Sequence, residues 1–248
     1  TVLLSGEGGD ETLAGYVRYR PLRHPGWLHL ARPWGPGLAA LQMGGRIGKL
    51  AKFLCLDSPE SMVIYNACDV LPGDLERLGM HPRGELGYRR TVLEEAAALY
   101  PSDLVRQAMY SDQHTFLCSV LDRNDRMTMG ASIECRVPFL DYRLVEGLAA
   151  LPSSALLKGR RGKPLLRRAM RSRLPRVVHR HPKWGFGVPW SRYLREVPEL
   201  RGIVSDLTRL EPLRTGPFDR ARLETVVDAF LGGDDANQAL VRGLVMMT

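Results

Sequence analysis

Long apolar runs are missing from this chain of 248 residues. No stretch approaches the roughly 18 consecutive apolar residues that a membrane-spanning helix needs, so we expect no membrane partner. The first residues carry no basic region and are too short for a signal peptide, and we therefore expect a cytoplasmic protein. The contents of 44% hydrophobic and 25% charged residues are ordinary for a globular protein with its own core.

Cysteine and aromatic residues are also scarce. The four cysteines are widely spaced without a C-x-x-C pair, which excludes the common zinc and dithiol motifs. Aromatic residues make up 7% and form no stacking platform, so we expect no nucleic-acid partner. Acidic residues are absent between Arg160 and Arg180, where much of the net charge of +8 lies. This basic stretch is either a solvated face or a surface for an anionic ligand such as a triphosphate.

The chain opens on a strand and then becomes almost entirely helical. Residues 1–4 predict a buried strand, followed by a glycine-rich turn over residues 5–11 and a helix from Glu11 to Tyr19. Residues 21–58 predict a loop with short helical pieces. Ser58 and Asp103 predict helix N-caps, and the spacing after Asp103 predicts a buried face of Leu104, Val105, Ala108 and Met109. Further helices are predicted over residues 126–133, 144–151, 163–174, 220–231 and 236–247, with an extended segment at 137–139.

A single strand cannot form the sheet of an α/β domain. A strand that begins at residue 1 and leads into a glycine-rich turn resembles the last part of a sheet whose earlier strands are missing. We therefore expect residues 1–248 to be the carboxyl-terminal part of a larger α/β domain, cut off upstream.

The glycine-rich turn reads Ser5-Gly6-Glu7-Gly8-Gly9-Asp10-Glu11. Glycines let backbone N–H groups approach an anion, and carboxylates beside them can hold Mg²⁺ or an incoming amine. The turn matches neither the Walker loop nor the Rossmann fingerprint. A tight turn with acidic helix caps would use the same residues, so composition alone leaves both interpretations open.

A second cluster runs from Asp125 to Asp141 and places charged residues around an apolar stretch. Helical spacing predicts that Met129 and Ile133 pack inward, which would make burial of Glu134 and Arg136 costly unless they are paired. A paired structural network is the alternative to a functional role for these charges.

Two shorter clusters follow. The third is a lysine at the start of an amphipathic helix, in Gly162-Lys163-Pro164-Leu165-Leu166-Arg167, and a solvated lysine is its alternative interpretation. The fourth is an aromatic and glycine-rich loop typical of a binding rim, Lys183-Trp184-Gly185-Phe186-Gly187-Val188-Pro189-Trp190.

Taken in this order, the four clusters resemble the asparagine synthetase family. The glycine-rich turn, followed by Ala14-Gly15-Tyr16-Val17-Arg18-Tyr19, is similar to the family loop S-G-E-G-x-D-E-x-x-x-G-Y-x-R-Y. The second cluster is similar to the long family signature that ends in R-V-P-F-L-D. The third cluster (K-x-L-L-R) and the fourth (K-x-G-F-x-x-P) complete the pattern. The resemblance covers essentially the whole chain, although residues 20–110 contribute little.

The resemblance implies an α/β fold of the adenine nucleotide α-hydrolase-like (ATP-pyrophosphatase) class, truncated here so that the chain is mostly α-helical. It implies a carbon–nitrogen ligase that activates the side-chain carboxylate of aspartate with ATP and Mg²⁺ as β-aspartyl-AMP. Ammonia released from glutamine in an amino-terminal glutaminase domain would then attack this adenylate to give asparagine. The resemblance is also compatible with a homodimer.

Residue by residue, the resemblance implies catalytic roles for Glu7, Lys163 and Glu134. Lys163 would stabilise charge at the α-phosphate, and Glu7 would face the adenylate and the arriving ammonia. Glu134 would hold Lys163 or the adenylate geometry, unless its role is structural. The implied ATP-binding residues are Ser5, Gly6, Gly8, Asp10, Asp125 and Arg126, of which Asp10 is also the implied Mg²⁺ ligand.

Two family features are not found in the sequence. The pyrophosphate loop S-G-G-x-D-S does not occur, and residue 1 is threonine rather than the cysteine of the glutaminase domain. We therefore expect that this chain alone neither hydrolyses glutamine nor binds ATP completely. ATP–pyrophosphate exchange by the isolated chain should be undetectable.

Three other interpretations stay open at this point. Relatives that form β-lactams tend to carry tyrosine where Glu7 stands, so Glu7 argues against that branch but not against a peptide cyclase or another amide-forming amidotransferase. A truncated paralogue that only binds a partner is the second alternative. An amino-terminal nucleophile at Thr1 is the third, with little support from a four-residue strand. The sequence leaves the acceptor carboxylate, the amine source and the oligomeric state undetermined.

Overall fold

A computed structural model describes residues 1–40, 45–80, 86–159, 162–181 and 187–248. The strands are β1 (Val2–Leu4) and β2 (Glu134–Arg136). The helices are α1 (Gly9–Thr12), α2 (Pro25–Ala31), α3 (Gly35–Ala40), α4 (Gly45–Leu54), α5 (Pro59–Ile64), α6 (Pro72–Glu76), α7 (Gly87–Leu99), α8 (Leu104–His114), α9 (Phe116–Met129), α10 (Tyr142–Ala149), α11 (Ser153–Leu156), α12 (Pro164–Ala169), α13 (Arg176–Arg180), α14 (Trp190–Glu196), α15 (Pro198–Asp206), α16 (Glu211–Arg214), α17 (Arg220–Leu231) and α18 (Gln238–Val245). Short 3₁₀ helices lie at Val17–Tyr19, Pro21–Arg23, Arg32–Trp34, Pro138–Leu140 and Asp235–Asn237. Within these described ranges, no helix is both long enough and apolar enough to cross a bilayer.

The two strands form a parallel pair, with Leu3 opposite Cys135. The backbone N–H of Ser5 donates to the Arg136 carbonyl oxygen at 2.8 Å and extends the ladder to the start of the glycine-rich turn. The prediction of one strand only is therefore wrong. Residues 134–136 carry two charges and no alternating apolar pattern, so local sequence gave no strand signal. All three residues of β1 are exposed, which contradicts the predicted burial of that strand.

The described chain divides into two compact units. Unit 1 comprises Thr1–Leu30, Leu56–Ala67 and Leu86–Lys183, and unit 2 comprises Ala31–Cys55, Cys68–Glu85 and Trp184–Thr248.

Unit 1 contains the strand pair and is organised around α8. Asp103 caps this helix, since its Oδ1 accepts a hydrogen bond from the Arg106 N–H at 3.1 Å. The four apolar residues predicted to form its inner face are all buried. The predicted cap at Ser58 is also confirmed, because its Oγ accepts from the Ser61 N–H at 3.1 Å at the start of α5.

Several predicted helices end earlier than their sequence pattern suggested. α1 stops at Thr12 rather than at Tyr19, since Ala14 adopts a left-handed backbone conformation (φ 50°). α12 stops at Ala169 rather than at residue 174, and arginines at 167, 168 and 171 put like charges on adjacent turns there.

The second sequence cluster also differs from prediction. α9 ends at Met129, which is exposed, and residues 130–133 are not helical. Pro138–Leu140 forms a 3₁₀ helix where an extended segment was predicted. The inward packing predicted for Met129 is therefore wrong, and Ile133 is only half-buried.

Unit 2 is helical and has its own apolar core. α17 has the predicted bounds, and Asp219 caps it by accepting from the Arg222 N–H at 3.0 Å. α18 begins two residues later than predicted, after the 3₁₀ helix Asp235–Asn237. The buried core residues are Leu78, Leu194, Val204, Leu207, Leu213, Leu223, Val226, Val227, Phe230, Leu240, Val241 and Leu244.

Candidate functional site

The acidic turn, Ser5 to Glu11, connects β1 to α1. Gly8 adopts a left-handed conformation with φ 79°, which glycine accepts without the steric cost of a side chain. A Cβ atom at this position would also overlap the side chain of Leu140. The 3₁₀ helix that contains Leu140 therefore packs directly against the acidic turn. The first and second sequence clusters meet at this point.

Lys163 lies beside this turn. Its Nζ is 3.3 Å from Oδ1 of Asp10, and both side chains are 24% exposed. Lys163 caps α12 with a left-handed backbone (φ 56°), an uncommon conformation for a residue with a side chain. A Cβ atom on Gly15 would overlap Asp10 Oδ1 and lie 2.5 Å from Lys163 Cε. The absence of a side chain at Gly15 therefore allows the lysine to reach Asp10, and the third cluster joins the first.

The remaining predicted residues of the turn lie between β1 and Asp10. The Glu7 N–H donates to Ser5 Oγ at 3.3 Å, which closes the turn locally. Ser5 and Glu7 are partly exposed, and Gly6 is exposed. This end of the turn is therefore open to solvent, whereas the following residue pair Gly8–Gly9 is buried.

Glu11 is the buried carboxyl group of the turn, with 1% of its surface exposed. Its Oε1 accepts a hydrogen bond from the Tyr16 hydroxyl at 2.7 Å. Burial raises the pKa of Glu11 above its ordinary value, although the bond from Tyr16 opposes this effect. Burial and the adjacent Glu11 carboxyl group also raise the pKa of Tyr16.

A second buried carboxylate, Asp112 of α8, lies behind this pair. Its Oδ2 accepts from Arg18 Nη2 at 2.9 Å and from the Tyr19 hydroxyl at 2.6 Å. The guanidinium carbon of Arg18 lies 3.7 Å from the centre of the Tyr16 ring. Burial lowers the pKa of Arg18, but the attraction of Asp112, its hydrogen bond and the nearby Tyr19 and Tyr16 together outweigh burial, and the net pKa is raised. Burial raises the pKa of Tyr19 as well.

Two other predicted site residues, Glu134 and Arg126, have different partners. Glu134 Oε1 accepts from Arg136 Nε at 2.8 Å, and both side chains are more than half exposed. In this structure Glu134 pairs with Arg136 and Lys163 pairs with Asp10, and a role of Glu134 towards Lys163 or the adenylate stays a prediction. Arg126 pairs with Asp122 at 3.0 Å on the exposed side of α9, and Asp125 is exposed one residue earlier. Exposed pairs of this kind contribute little to stability.

The first half of the fourth sequence cluster, residues 183–186, lies outside the described residues. Its predicted role at a binding rim stays a prediction.

Asp10 is the one residue that the sequence predicted as a metal ligand. In the part of the chain that the structure describes, no group of three or more His, Cys, Asp or Glu side chains is arranged around a common metal position. A Mg²⁺ ion that accompanies a nucleotide commonly uses one or two protein carboxylates and takes its other ligands from phosphates and water. A single carboxylate at Asp10 fits that kind of binding.

Sequence reasoning missed Asp112 and its neighbour Gln113. The signal was present, because Arg18 within a tight loop motif needs a buried acidic partner. Asp112 follows the buried residues Ala108 and Met109 at spacings of four and three, which places it on the inner face of α8. Only the fold determines that this face meets the acidic turn.

Comparison with known proteins gives a consistent result. A family model described as asparagine synthase matches residues 1–247. Asparagine synthetase (glutamine-hydrolyzing) 1 of Bacillus subtilis is 32% identical over 219 residues, covering 83% of this chain and 34% of that protein. A putative asparagine synthetase (glutamine-hydrolyzing) of Mycobacterium tuberculosis H37Rv is 30% identical over 199 residues, covering 78% of this chain and 30% of that protein.

The chain thus spans about a third of the length of these two curated relatives. No solved structure shows a significant match to the chain.

Proposed function

The chain belongs to the asparagine synthase family, and on that premise we propose that it takes part in the ATP-dependent formation of asparagine. In the proposed reaction, a side-chain carboxylate oxygen of aspartate attacks the α-phosphorus of ATP, and the bond to pyrophosphate breaks. Ammonia derived from glutamine then attacks the β-aspartyl-AMP and displaces AMP. The observation that carries the proposal is the 3.3 Å contact between Asp10 in the acidic turn and Lys163 at the start of α12.

We further propose that this chemistry takes place on an adenine nucleotide α-hydrolase-like α/β fold. Two features support this class. β1 and β2 are parallel, and the acidic turn follows the carboxyl end of β1. Ligands of open α/β sheets commonly bind outside the carboxyl ends of the strands.

Lys163 is proposed as the positive charge that stabilises the transferring phosphoryl group. Its three N–H donors and its half-buried position suit charge that develops on phosphate oxygens. Asp10 holds the side-chain ammonium group of Lys163 in place. Asp10 would also hold Mg²⁺, which supplies positive charge to the triphosphate when bound. Backbone groups of Ser5, Gly6 and Gly8 line the same turn and would contact the nucleotide.

Glu7 is proposed to act in the second half-reaction. It lies on the same turn as Asp10 and is only half-buried, so a small amine can reach it from solvent. A carboxylate there can take a proton from ammonium or hold the ammonia in line for attack. Glu134 pairs with Arg136 and Arg126 pairs with Asp122, and no step of the proposed reaction uses them or the exposed Asp125.

The test uses the complete gene product and measures two rates, aspartate-dependent ATP–pyrophosphate exchange and asparagine formation. Lys163→Met should lower the exchange rate by about 100- to 1000-fold, the usual effect of removing one transition-state donor. Lys158→Met is the matched control, because Lys158 is an exposed lysine of the same segment, and it should keep wild-type exchange. Equal exchange in the two variants would contradict the assignment of Lys163.

Glu7→Gln separates the two half-reactions in the same assay. It should retain exchange while asparagine formation falls about 100-fold or more, since it removes only the proposed base. Exchange with another carboxylic acid, and none with aspartate, would instead indicate an amide-forming relative with a different substrate. Because residues 1–248 contain no S-G-G-x-D-S loop, we propose that this chain by itself shows no exchange.

A further inference from the structure

We propose that Asp112 is a positioning residue for the ion pair between Asp10 and Lys163. It would act from α8 through Arg18 and Tyr16, without touching substrate. This inference rests on the proposed function for its purpose, since Asp10 and Lys163 are the residues assigned to the phosphate groups. The geometric part of the inference can be tested without any nucleotide.

The first step is that α1 cannot hold its own position. The helix has four residues, and its cap residue Gly8 provides no side-chain hydrogen bond. Thr12 bonds back to the Gly8 carbonyl oxygen through its N–H at 2.9 Å and its hydroxyl at 2.8 Å. A single turn of helix is unstable without external contacts, because its nucleation cost is not recovered. The direction of the Asp10 side chain on this turn therefore depends on contacts outside α1.

The second step is that α8 contacts α1 at the residue next to Asp10. Gln113 Nε2 donates to the main-chain oxygen of Glu11 at 3.2 Å. The Glu11 carboxyl group is held at the same time by the Tyr16 hydroxyl at 2.7 Å. Glu11 is thus fixed at both its backbone and its side chain. Because Asp10 is the residue directly before Glu11 in the chain, fixing Glu11 also restricts the position of Asp10.

The third step connects Tyr16 to Asp112. The guanidinium of Arg18 covers the Tyr16 ring at 3.7 Å, within the range of a cation–π contact. Asp112 holds that guanidinium at 2.9 Å and also receives the Tyr19 hydroxyl at 2.6 Å. Removing the Asp112 charge would leave Arg18 partly buried without its ion-pair partner. Arg18 would then shift, and the Tyr16–Glu11 bond that fixes α1 would shift with it.

Asp112 and Gln113 are adjacent on α8. One turn of that helix therefore provides both the bond to the Glu11 main chain and the ion pair with Arg18. Asp112 is 3% exposed, which keeps its interactions with Arg18 and Tyr19 away from competing water. The arrangement therefore places the position of Asp10 under the control of a residue far from it in sequence.

The experiment reads the side chain of Lys163 directly by NMR. The chain contains five lysines, at positions 49, 52, 158, 163 and 183, so selective lysine labelling gives few ε-methylene signals. Lys163→Arg identifies the signal of Lys163 by its loss. Asp10→Asn provides the reference position of this signal when the ion pair is broken. We expect Asp112→Asn to move the Lys163 signal from its wild-type position towards that reference.

Asp74→Asn is the matched control. Asp74 is also buried, pairs with Lys52 at 2.7 Å and additionally accepts from the Leu71 N–H at 3.0 Å, so its loss should be at least as disruptive. It should move the signal of Lys52 and leave that of Lys163 in place. If Asp112 had only a structural role, Asp112→Asn would lower stability as Asp74→Asn does and would not specifically move the Lys163 signal.

Tyr16→Phe keeps the inference testable if Asp112→Asn fails to fold. It removes only the hydroxyl that holds Glu11 and keeps the ring beneath Arg18, and it should move the Lys163 signal in the same direction by a smaller amount. An unchanged Lys163 signal in a folded Asp112→Asn variant, or in Tyr16→Phe if that is the one that folds, would overturn the inference. Such a result would leave the exchange assay and the proposed reaction unaffected, whereas a failed exchange assay would leave this NMR result standing.

Discussion

Glu11 shows how much a single residue of the acidic turn is constrained. It is the next residue after Asp10, yet Asp10 is partly exposed and paired with Lys163, whereas Glu11 is buried and meets Tyr16. Two adjacent carboxyl groups therefore have different environments and different chemistry. Their sequence, Asp-Glu, gave no indication of which one faces the lysine. The distinction came only from the family resemblance and from the packing around α1.

The buried Glu11 carboxyl predicts a specific dependence of stability on pH. Because its pKa is raised in the folded state above the ordinary 4.5, the folded protein binds this proton more tightly than the unfolded chain does. The contribution of Glu11 to stability is therefore greatest below pH 4.5 and is lost as pH rises through the raised value. Glu11→Gln cannot ionise, so its unfolding free energy should rise relative to wild type between acidic and neutral pH.

Urea unfolding at a series of pH values measures this difference. Glu94→Gln on the exposed side of α7 is the control and should show no comparable trend. A constant difference between Glu11→Gln and wild type across the pH range would show that Glu11 ionises normally in the folded protein.

At the scale of elements, α8 has features that the sequence predicted and one contact that it did not predict. Its start and its buried face follow from Asp103 and the apolar spacing, both of which the sequence predicted. Asp103 has a second function that the sequence did not indicate, since its Oδ2 accepts from the Ser153 N–H at the start of α11 at 3.3 Å. One carboxylate therefore fixes the beginnings of two helices.

Asp103→Ala should destabilise α8 more than loss of an ordinary cap destabilises a helix. Loss of an N-cap costs about 1 kcal/mol, and the unpartnered Ser153 N–H adds roughly another 1 kcal/mol. Hydrogen exchange of the α8 amides measures the effect. Asp219→Ala in α17 is the matched case, because its hydrogen bond to the Arg222 N–H at 3.0 Å is a cap of the same kind. Equal increases in exchange in the two helices would contradict the second function of Asp103.

The elements that sequence predicted correctly are those with local signals. Ser58 and Asp103 cap helices through residues three positions away, and α17 is bounded by Asp219 and two glycines. β2 was missed because its stability comes from pairing with β1 rather than from its own residues. The early end of α1 was missed because a left-handed alanine at position 14 is set by close packing around Gly15, not by alanine itself.

The candidate site was predictable only in part for the same reason. Lys163, Asp10 and Glu7 were identified through motifs that resemble one family, and the structure brings the first two into contact. Asp112 belongs to none of the motifs, and its role follows from the position of α8. Glu134 and Arg126 lie in a motif but pair with Arg136 and Asp122, so membership of a motif did not determine contact with the acidic turn.

At the scale of the whole molecule, the chain divides into two compact units. The core of unit 2 is apolar and helical, with Phe230 fully buried at its centre and the Arg195 guanidinium 4.8 Å from its ring. The candidate residues from Ser5 to Lys163 all belong to unit 1. Substitutions in the core of unit 2 therefore leave every candidate site residue unchanged.

Phe230→Ala should destabilise unit 2 by roughly 3–5 kcal/mol, because it removes a large buried ring and leaves a cavity. Increased hydrogen exchange of the amides in α17 and α18 measures this loss. Tyr193→Ala is the matched aromatic control in the same unit, because Tyr193 is 43% exposed, and the expected cost is under about 1 kcal/mol. Similar exchange in the two variants would contradict the assignment of Phe230 to the centre of this core.

The parallel pairing of β1 with β2 has a consequence for biosynthesis. β1 is made first, but its hydrogen-bonding partner leaves the ribosome only after roughly 130 further residues have been synthesised. During that interval the backbone groups of β1 that pair with β2 in the folded chain do not yet have these partners. Closure of such a distant contact is slow, so the acidic turn reaches its final geometry late, after the local helices have formed.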